Sequence, residues 1–167
     1  MKFNRIMPLV LLFSGSIMAA ETVEHTVTVS AQIPSENFYV AAVGDWINST
    51  QKLQFNPNTG KLASFSQQME VKSTIGPIKG YLLNKAALSR ANGNEEIDLI
   101  VKLAGKELST ESQELLTLDN VRNGKKVGFD IVPAAAPSGG YTPGNYQGVV
   151  SMVFESEAPV TPPPAGE

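Results

Sequence analysis

The sequence predicts an all-β protein, an antiparallel β-sandwich for which immunoglobulin-like topology is the leading version. Apolar side chains recur with a period of two along almost the whole chain, and turn residues interrupt the pattern about every ten residues. The sequence contains no pattern of a long amphipathic helix and no repeat. Seven or more short strands with this spacing are typical of a sandwich, although the pattern alone leaves a jelly roll open.

Residues 1–20 predict a secretory signal peptide that does not belong to the fold. Lys2 and Arg5 supply a short positive region, an apolar stretch follows at residues 6–13, and small residues lead up to Ala20. The apolar stretch is shorter than the roughly 20 residues that a membrane-spanning helix needs. We expect cleavage after Ala20 and export of the mature chain.

Composition and charge exclude several classes of function. With 13 Lys and Arg against 16 Asp and Glu, the formal net charge of -3 supplies no basic field for a phosphate backbone, so we expect no nucleic-acid partner. The chain has no cysteine, which excludes disulfides, thiolate metal sites and thiol catalysis. Its single histidine, His25, cannot build a histidine-rich metal centre. We therefore expect no enzyme activity, no cofactor and no metal site.

The longest uninterrupted alternation predicts a β-strand within residues 21–34, at the start of the mature chain. Polar side chains occupy one face of this strand, and Pro34 ends it. It is about twice as long as a common strand. The other face consists of Val23, His25, Val27, Val29, Ala31 and Ile33.

The predicted sandwich domain covers residues 35–155. Helical turns are expected within 85–95 and 109–114, and a loop at 119–126. Residues 156–167 predict a Pro-rich C-terminal tail with polyproline character. Strand patterns occur at 38–43, 62–74, 81–84, 97–103 with a hairpin return at 107–108, 115–118, 127–132 and 146–155.

Isolated side chains that could carry chemistry give weak signals. The acidic residues Glu95, Glu96 and Asp98 match no calcium-binding loop and are more typical of a solvated turn. Trp46, near Tyr39, could contact a sugar or a receptor, but a tryptophan in a sandwich is more often part of the core. Neither feature predicts an active site.

The two ends of the mature chain together predict an incomplete sandwich. The last predicted strand, 146–155, is apolar on both faces, and nothing after it can pair with it. A sandwich that lacks its final strand has an open edge and a groove over its core. The N-terminal strand of another copy can fill both by strand addition.

The same two ends resemble a known family. Residues 23–31 and 142–154, with Gly-Asn-Tyr-x-Gly-Val-Val-Ser at 144–151, are similar to the ends of major pilin subunits of alternative-chaperone, alpha-type fimbriae. These are the colonisation-factor pilins of enterotoxigenic bacteria and the cable pilins. The middle of the chain matches loosely, whereas the length and the absence of cysteine agree.

The resemblance implies a fimbrial shaft subunit whose incomplete immunoglobulin-like sandwich is held by a periplasmic chaperone. At an outer-membrane usher, the N-terminal donor strand of the next subunit completes it, so that a surface fibre grows for bacterial adhesion. Further implied partners are a tip adhesin and a host receptor. The tail departs from the family pattern, in which the chain ends soon after the final strand. The implied donor side chains are Val23, His25, Val27, Val29, Ala31 and Ile33, and the implied acceptor edge is Tyr146, Val150, Met152 and Phe154.

Two alternatives stay open at this stage. One is a receptor-binding tip or minor subunit, with Tyr39, Trp46 and Tyr141 as candidate contacts. The other is a self-complete periplasmic β-sandwich binding protein, in which residues 22–33 pair with their own sheet.

Overall fold

The structure is a computed structural model that describes residues 37–91 and 93–158. The predicted signal peptide (1–20), the predicted donor strand (21–34) and the tail from residue 159 lie outside the described residues, so these boundaries stay predictions. In the described part of the chain, no helix is both long and apolar enough to cross a membrane.

Short β-strands are the main secondary structure of the described chain, as the alternating sequence predicts. A 3-10 turn at Trp46–Asn48 and one four-residue helix, α1, interrupt them. The elements in chain order are β1 (Phe38–Ala42), β2 (Phe55–Asn56), β3 (Lys61–Leu62), β4 (Phe65–Ser73), β5 (Ile78–Leu82), β6 (Ala87–Arg90), β7 (Glu96–Leu103), β8 (Lys106–Glu107), β9 (Gln113–Leu116), α1 (Leu118–Val121), β10 (Lys125–Pro133), β11 (Tyr146–Gln147) and β12 (Met152–Ser156).

The strands form two antiparallel sheets and a small hairpin. The larger sheet has the order β1-β4-β10-β7-β6-β11, with β8 paired to β7. The smaller sheet has the order β12-β5-β9, and β2 pairs with β3 apart from both. The chain crosses between the two sheets five times, at the β4–β5, β5–β6, β8–β9, β9–β10 and β11–β12 connections. The all-β antiparallel architecture predicted from the sequence is therefore confirmed.

The hydrophobic core lies between the two sheets. In β7, the alternation of apolar and polar residues turns one face inward, and all four of its inward side chains are buried. The larger sheet also contributes Met69, Val71, Val127 and Phe129, and the smaller sheet contributes Ile78, Leu82, Leu115 and Leu116.

The hairpin predicted at 97–108 is confirmed, and its turn explains its register. Ala104 and Gly105 both have positive φ, at 52° and 80°. Two consecutive residues of this kind match a type I′ turn, whose twist fits that of the flanking strands. Lys102 consequently pairs with Glu107, and Leu103 with Lys106.

Both predicted helical turns are wrong. Within 85–95 the chain forms β6, in which Ala87 pairs with Asp98 and Ser89 with Glu96. Sheet pairing with β7 overrides the helical propensity of this Ala- and Leu-containing segment. Residues 109–112 form no helix, and the helix α1 lies instead in the segment predicted as a loop.

The single strand predicted over 146–155 is also wrong, because the segment divides between the two sheets. β11 pairs with β6 in the larger sheet, and β12 pairs with β5 in the smaller one. Gly148 lies at the crossing, where a Cβ would be 2.1 Å from the carbonyl oxygen of Ala87. Only glycine allows the backbone to approach β6 this closely.

Gly80 of β5 provides a first test of the packing. It lies opposite Phe154 in the β5–β12 register, and a Cβ at Gly80 would be 2.7 Å from Leu115 Cδ1 and 2.8 Å from Phe154 Cδ1. Because this site is buried, we expect Gly80→Ala to lower the free energy of unfolding by about 1–3 kcal/mol. Denaturant unfolding followed by circular dichroism measures the change. Gly139→Ala is the control, since a Cβ there meets nothing within 4 Å. Equal stability of the two variants would contradict the packing of Phe154 over Gly80.

Candidate functional site

The outer edge of β12 is the first part of the candidate site. β12 and β9 are the two terminal strands of the smaller sheet, and no described strand pairs with β12 on the side opposite β5. An antiparallel strand directs alternate backbone groups to either side, so this edge presents N–H and C=O groups to a further strand. Met152 and Phe154 are half-buried and pack against the core on the inner face. The edge therefore combines unpaired backbone groups with an apolar row.

A hydrogen-bond network fixes one end of β12. Ser156 Oγ donates to the carbonyl oxygen of Gly76 at 3.0 Å, and the hydroxyl groups of Ser73 and Ser156 lie 2.8 Å apart. The fully buried Ser73 Oγ also accepts the backbone N–H groups of Ile75 and Gly76, each at 3.2 Å. The Ser156 hydroxyl therefore donates to Gly76, and the Ser73 hydroxyl is left to donate to Ser156. The bond between the two serines connects β4 to β12. We call this the serine end of the sandwich.

β1, one of the two terminal strands of the larger sheet, also begins at the serine end. Phe38, the first residue of β1, pairs with Ser73 of β4. β1 and β12 therefore flank the same crossover, the β4–β5 connection. Both the entry of the chain into the sandwich at Phe38 and its exit after Ser156 lie at this end.

A groove of about 1140 Å³ lies at the other end of β12 and is the second part of the candidate site. Leu88 of β6 and Ile97 of β7, which pair with each other, form part of its apolar lining. One wall is the segment 50–55, and the other is the segment 141–149, which leads into β12. The groove therefore lies next to the segment that leads into β12.

Three aromatic residues, Phe55, Tyr141 and Tyr146, lie in the walls of the groove. Phe55 and Tyr141 meet edge to face, with ring centroids 6.4 Å apart. The hydroxyl of Tyr141 donates to the carbonyl oxygen of Ala134 at 2.6 Å, and that of Tyr146 donates to the carbonyl oxygen of Thr142 at 2.8 Å. Both tyrosine rings are thus held in place by their own loop.

The structure distributes the predicted acceptor residues over both parts of the site. Met152 and Phe154 lie on β12, and Val150, just before it, also packs against the core. Tyr146 lies on β11, in the other sheet, and lines the groove. The predicted donor residues Val23, His25, Val27, Val29, Ala31 and Ile33 lie outside the described residues. The role assigned to each set stays a prediction.

The wall at 50–55 is a part of the site that sequence reasoning missed. This segment has no strand periodicity, and only Leu53 packs against the core. The one usable signal is an aromatic residue, Phe55, directly before the Asn-Pro turn at Asn56. Its proximity to the 141–149 segment depends on tertiary contacts that no local pattern encodes.

The aromatic residues considered as receptor contacts have structural roles. Trp46 stacks on the buried Phe129 at 5.3 Å and meets Phe65 edge to face at 5.4 Å. Tyr39 donates to Glu70 Oε1 at 3.2 Å, and desolvation, followed by this hydrogen bond, raises the pKa of its phenol. The tryptophan is therefore part of the packing, as expected for a sandwich.

The acidic residues at the start of β7 are paired individually. Glu95 forms an ion pair with Arg90 at 2.9 Å, and Asp98 forms one with Lys85 at 2.7 Å. The hydrogen bond to Asp98 raises the pKa of the Lys85 ammonium group. Among the described residues, no group of three or more His, Cys, Asp or Glu side chains is placed to hold a metal ion.

An antiparallel β-sandwich with an uncovered terminal strand is an architecture to which a further strand can be added. Residues 23–155 match the family model of the CS1 type fimbrial major subunit, and the chain belongs to this family. It is therefore a structural subunit of a fimbrial shaft. No curated protein sequence matches it.

A solved structure supports the fold. The chain is similar to the CooA pilin subunit from enterotoxigenic Escherichia coli, with a TM-score of 0.56 and 20% sequence identity. The similarity covers 70% of this chain and 86% of that chain. It agrees with the all-β architecture described above.

Ser73→Ala tests the network that positions β12. The substitution removes the acceptor of two backbone N–H groups, one of them buried, so we expect a loss of about 1–3 kcal/mol in the free energy of unfolding. Ser66→Ala in the same strand is the control, because the Ser66 hydroxyl is exposed where it bonds Asp130. Denaturant unfolding of both variants measures the difference. Equal losses would show that the serine end does not hold β12.

Proposed function

We propose that this subunit polymerises by donor-strand complementation. In this proposal, residues 21–34 of one copy add to the outer edge of β12 in the next copy. The observation that carries the proposal is the terminal position of β12, with the apolar side chains of Met152 and Phe154 beneath an edge that no described strand covers. A strand added there gains backbone hydrogen bonds and covers those side chains in one step.

The donor sequence fits such an edge. Its alternating face presents Val23, Val27, Val29, Ala31 and Ile33, with His25 between them. Burial contributes about 1.5–3 kcal/mol for each larger aliphatic side chain, and each backbone hydrogen bond adds roughly 0.5–1.5 kcal/mol. Several such terms together are sufficient for a stable contact between subunits without a covalent link.

An antiparallel donor strand makes the polymer head-to-tail. The donor segment joins its own sandwich at Phe38, at the serine end. If the donor segment runs antiparallel to β12 of a neighbour, the last of its apolar side chains, Ile33, lies near Met152. Met152 is at the groove end of that neighbour. The serine end of one copy therefore meets the groove end of the next. Heterologous contacts generate an open filament when the rotation between copies does not close a ring, and a fibre of this kind is the proposed product.

Assembly in this proposal follows the alternative-chaperone, alpha-type route. A periplasmic chaperone covers the edge of β12 until the donor strand of the next subunit replaces it at an outer-membrane usher. Export through the periplasm to the cell surface agrees with the predicted signal peptide at residues 1–20. A tip adhesin and a host receptor complete the set of proposed partners. The open edge supports this route, because an exposed strand edge aggregates unless it is covered.

Deletion of residues 23–33 tests the donor strand. The deletion leaves the edge of β12 and the signal-cleavage region in place, so we expect the subunit to be exported and held by a chaperone without extending a fibre. Fibres sheared from the cell surface are compared on a denaturing gel with and without boiling. The wild type should give a ladder that collapses on boiling, and the deletion only monomer. Ladders of normal length from the deletion would contradict the donor-strand proposal.

Val29→Asp tests which face of the donor strand is buried. A carboxylate on the apolar face must enter an apolar contact, at a cost of several kcal/mol, so we expect a loss of fibre yield of at least roughly tenfold. Thr28→Asp is the matched control, since it adds the same charge to the polar face. Quantitative immunoblotting of sheared fibres measures both. The assignment of the face is wrong if the two variants assemble equally.

A further inference from the structure

We propose that the Pro-rich tail of one subunit, residues 159–167, docks in the groove of the adjacent subunit in the fibre. The inference rests on the head-to-tail polymer proposed above and adds a second contact to it. It assigns an occupant to the groove lined by 50–55 and 141–149, the second of which leads into β12.

The chemistry of the groove fits a proline-rich segment. Phe55, Tyr141 and Tyr146 line it, and two of its apolar side chains are strongly exposed, Phe55 at 53% and Val149 at 83%. Aromatic-lined grooves bind polyproline segments because proline rings pack on aromatic faces and the extended helix loses little entropy on binding. A docked tail would also cover the two exposed side chains.

The tail has the composition and length for this groove. Four of its nine residues are proline, at positions 159, 162, 163 and 164. At about 3.1 Å per residue in a polyproline helix, the nine residues span roughly 28 Å. A segment of this length can extend well beyond the residue at which the described chain ends.

The direction of the chain favours the neighbouring copy. The last described residues leave at the serine end, where the backbone of Glu157 packs against Gly76 and the Glu157 carboxylate lies 3.8 Å from Lys79 Nζ. The groove of the same subunit lies at the opposite end of β12. Because proline-rich segments are stiff over several residues, the composition of the tail favours extension away from its own sandwich over a turn back along it. In the head-to-tail polymer it points to the groove end of the next copy.

The charges are complementary as well. Lys52 lines the groove, and the only charged residue of the tail is Glu167. This contact is open to solvent, so salt screens it, and it orients the tail more than it holds it. Aromatic packing is the main contribution.

A photo-crosslinking amino acid at position 160, in fibres assembled from the full chain, tests the inference directly. The chain has no cysteine, so boiling should leave only monomer unless the crosslinker has captured a second copy. We expect a dimer-sized band that survives boiling and whose crosslinked peptides map to 50–55 or 141–149. A crosslink within one chain, a crosslink to another surface of the neighbour, or no crosslink would each overturn the inference.

Phe55→Ser and Ile47→Ser in the same crosslinking strain form a matched pair. The two side chains are equally exposed, at 53% and 52%, but only Phe55 lines the groove. We expect Phe55→Ser to lower the yield of the boiling-resistant dimer at least roughly fivefold and Ile47→Ser to leave it unchanged. Equal yields would overturn the docking site.

The unboiled ladder separates this inference from the proposed function. Deletion of residues 159–167 should leave the ladder intact, because the donor strand still links the subunits, while lowering the temperature at which the ladder collapses. A wild-type chain that gives no ladder overturns the polymer, and with it the docking. A normal ladder with an unchanged collapse temperature after the deletion overturns the docking alone.

Discussion

The edge of β12 is the constraint on which the rest of the structure depends. Backbone N–H and C=O groups that border a hydrophobic core need partners, because leaving them unsatisfied costs as much as a lost hydrogen bond. Among the described residues, the smaller sheet has three strands and ends at β12, whose Met152 and Phe154 pack against the core. Polymerisation, in the proposed function, is the way in which the chain satisfies this edge. Folding and assembly then have the same driving force, since the strand that completes the core also joins the subunits.

The position of this edge depends on how the chain changes sheets before it. Gly148 brings the backbone against the carbonyl oxygen of Ala87, so that residue 147 still pairs in the larger sheet and residue 152 already pairs in the smaller one. The serine network then fixes the far end of the same strand. β12 is therefore held at both of its ends, and its middle is left to accept a partner.

Much of the fold could be predicted from the sequence, because the apolar alternation in segments such as β7 is local and has a period of two. The hairpin at Ala104 and Gly105 is also local. The errors come from pairing at a distance. Residues 87–90 are a strand because β7 lies beside them, and the apolar run at 146–155 divides because its two halves find different partners. The candidate site follows the same rule: Met152 and Phe154 could be identified from the final strand, whereas the wall at 50–55 could not.

The serine end has a mechanical consequence for the proposed fibre. Tension reaches a subunit through its own donor segment at Phe38 and leaves through the neighbour's strand on β12, so the force runs along the strand axes. Within the larger sheet, β1 opposes this pull through its five-residue pairing with β4, from Phe38–Ser73 to Ala42–Met69. A pull along the strands loads all the hydrogen bonds of that pairing together, whereas a perpendicular pull would open them one after another. Ser73 lies at the point where this pairing meets Ser156 of β12, so one link between the two loaded strands is a hydrogen bond between two neutral hydroxyl groups. Because neither hydroxyl carries a charge, this hydrogen bond does not depend on ionic strength, whereas the exposed Lys79–Glu157 ion pair at the same end is screened by salt.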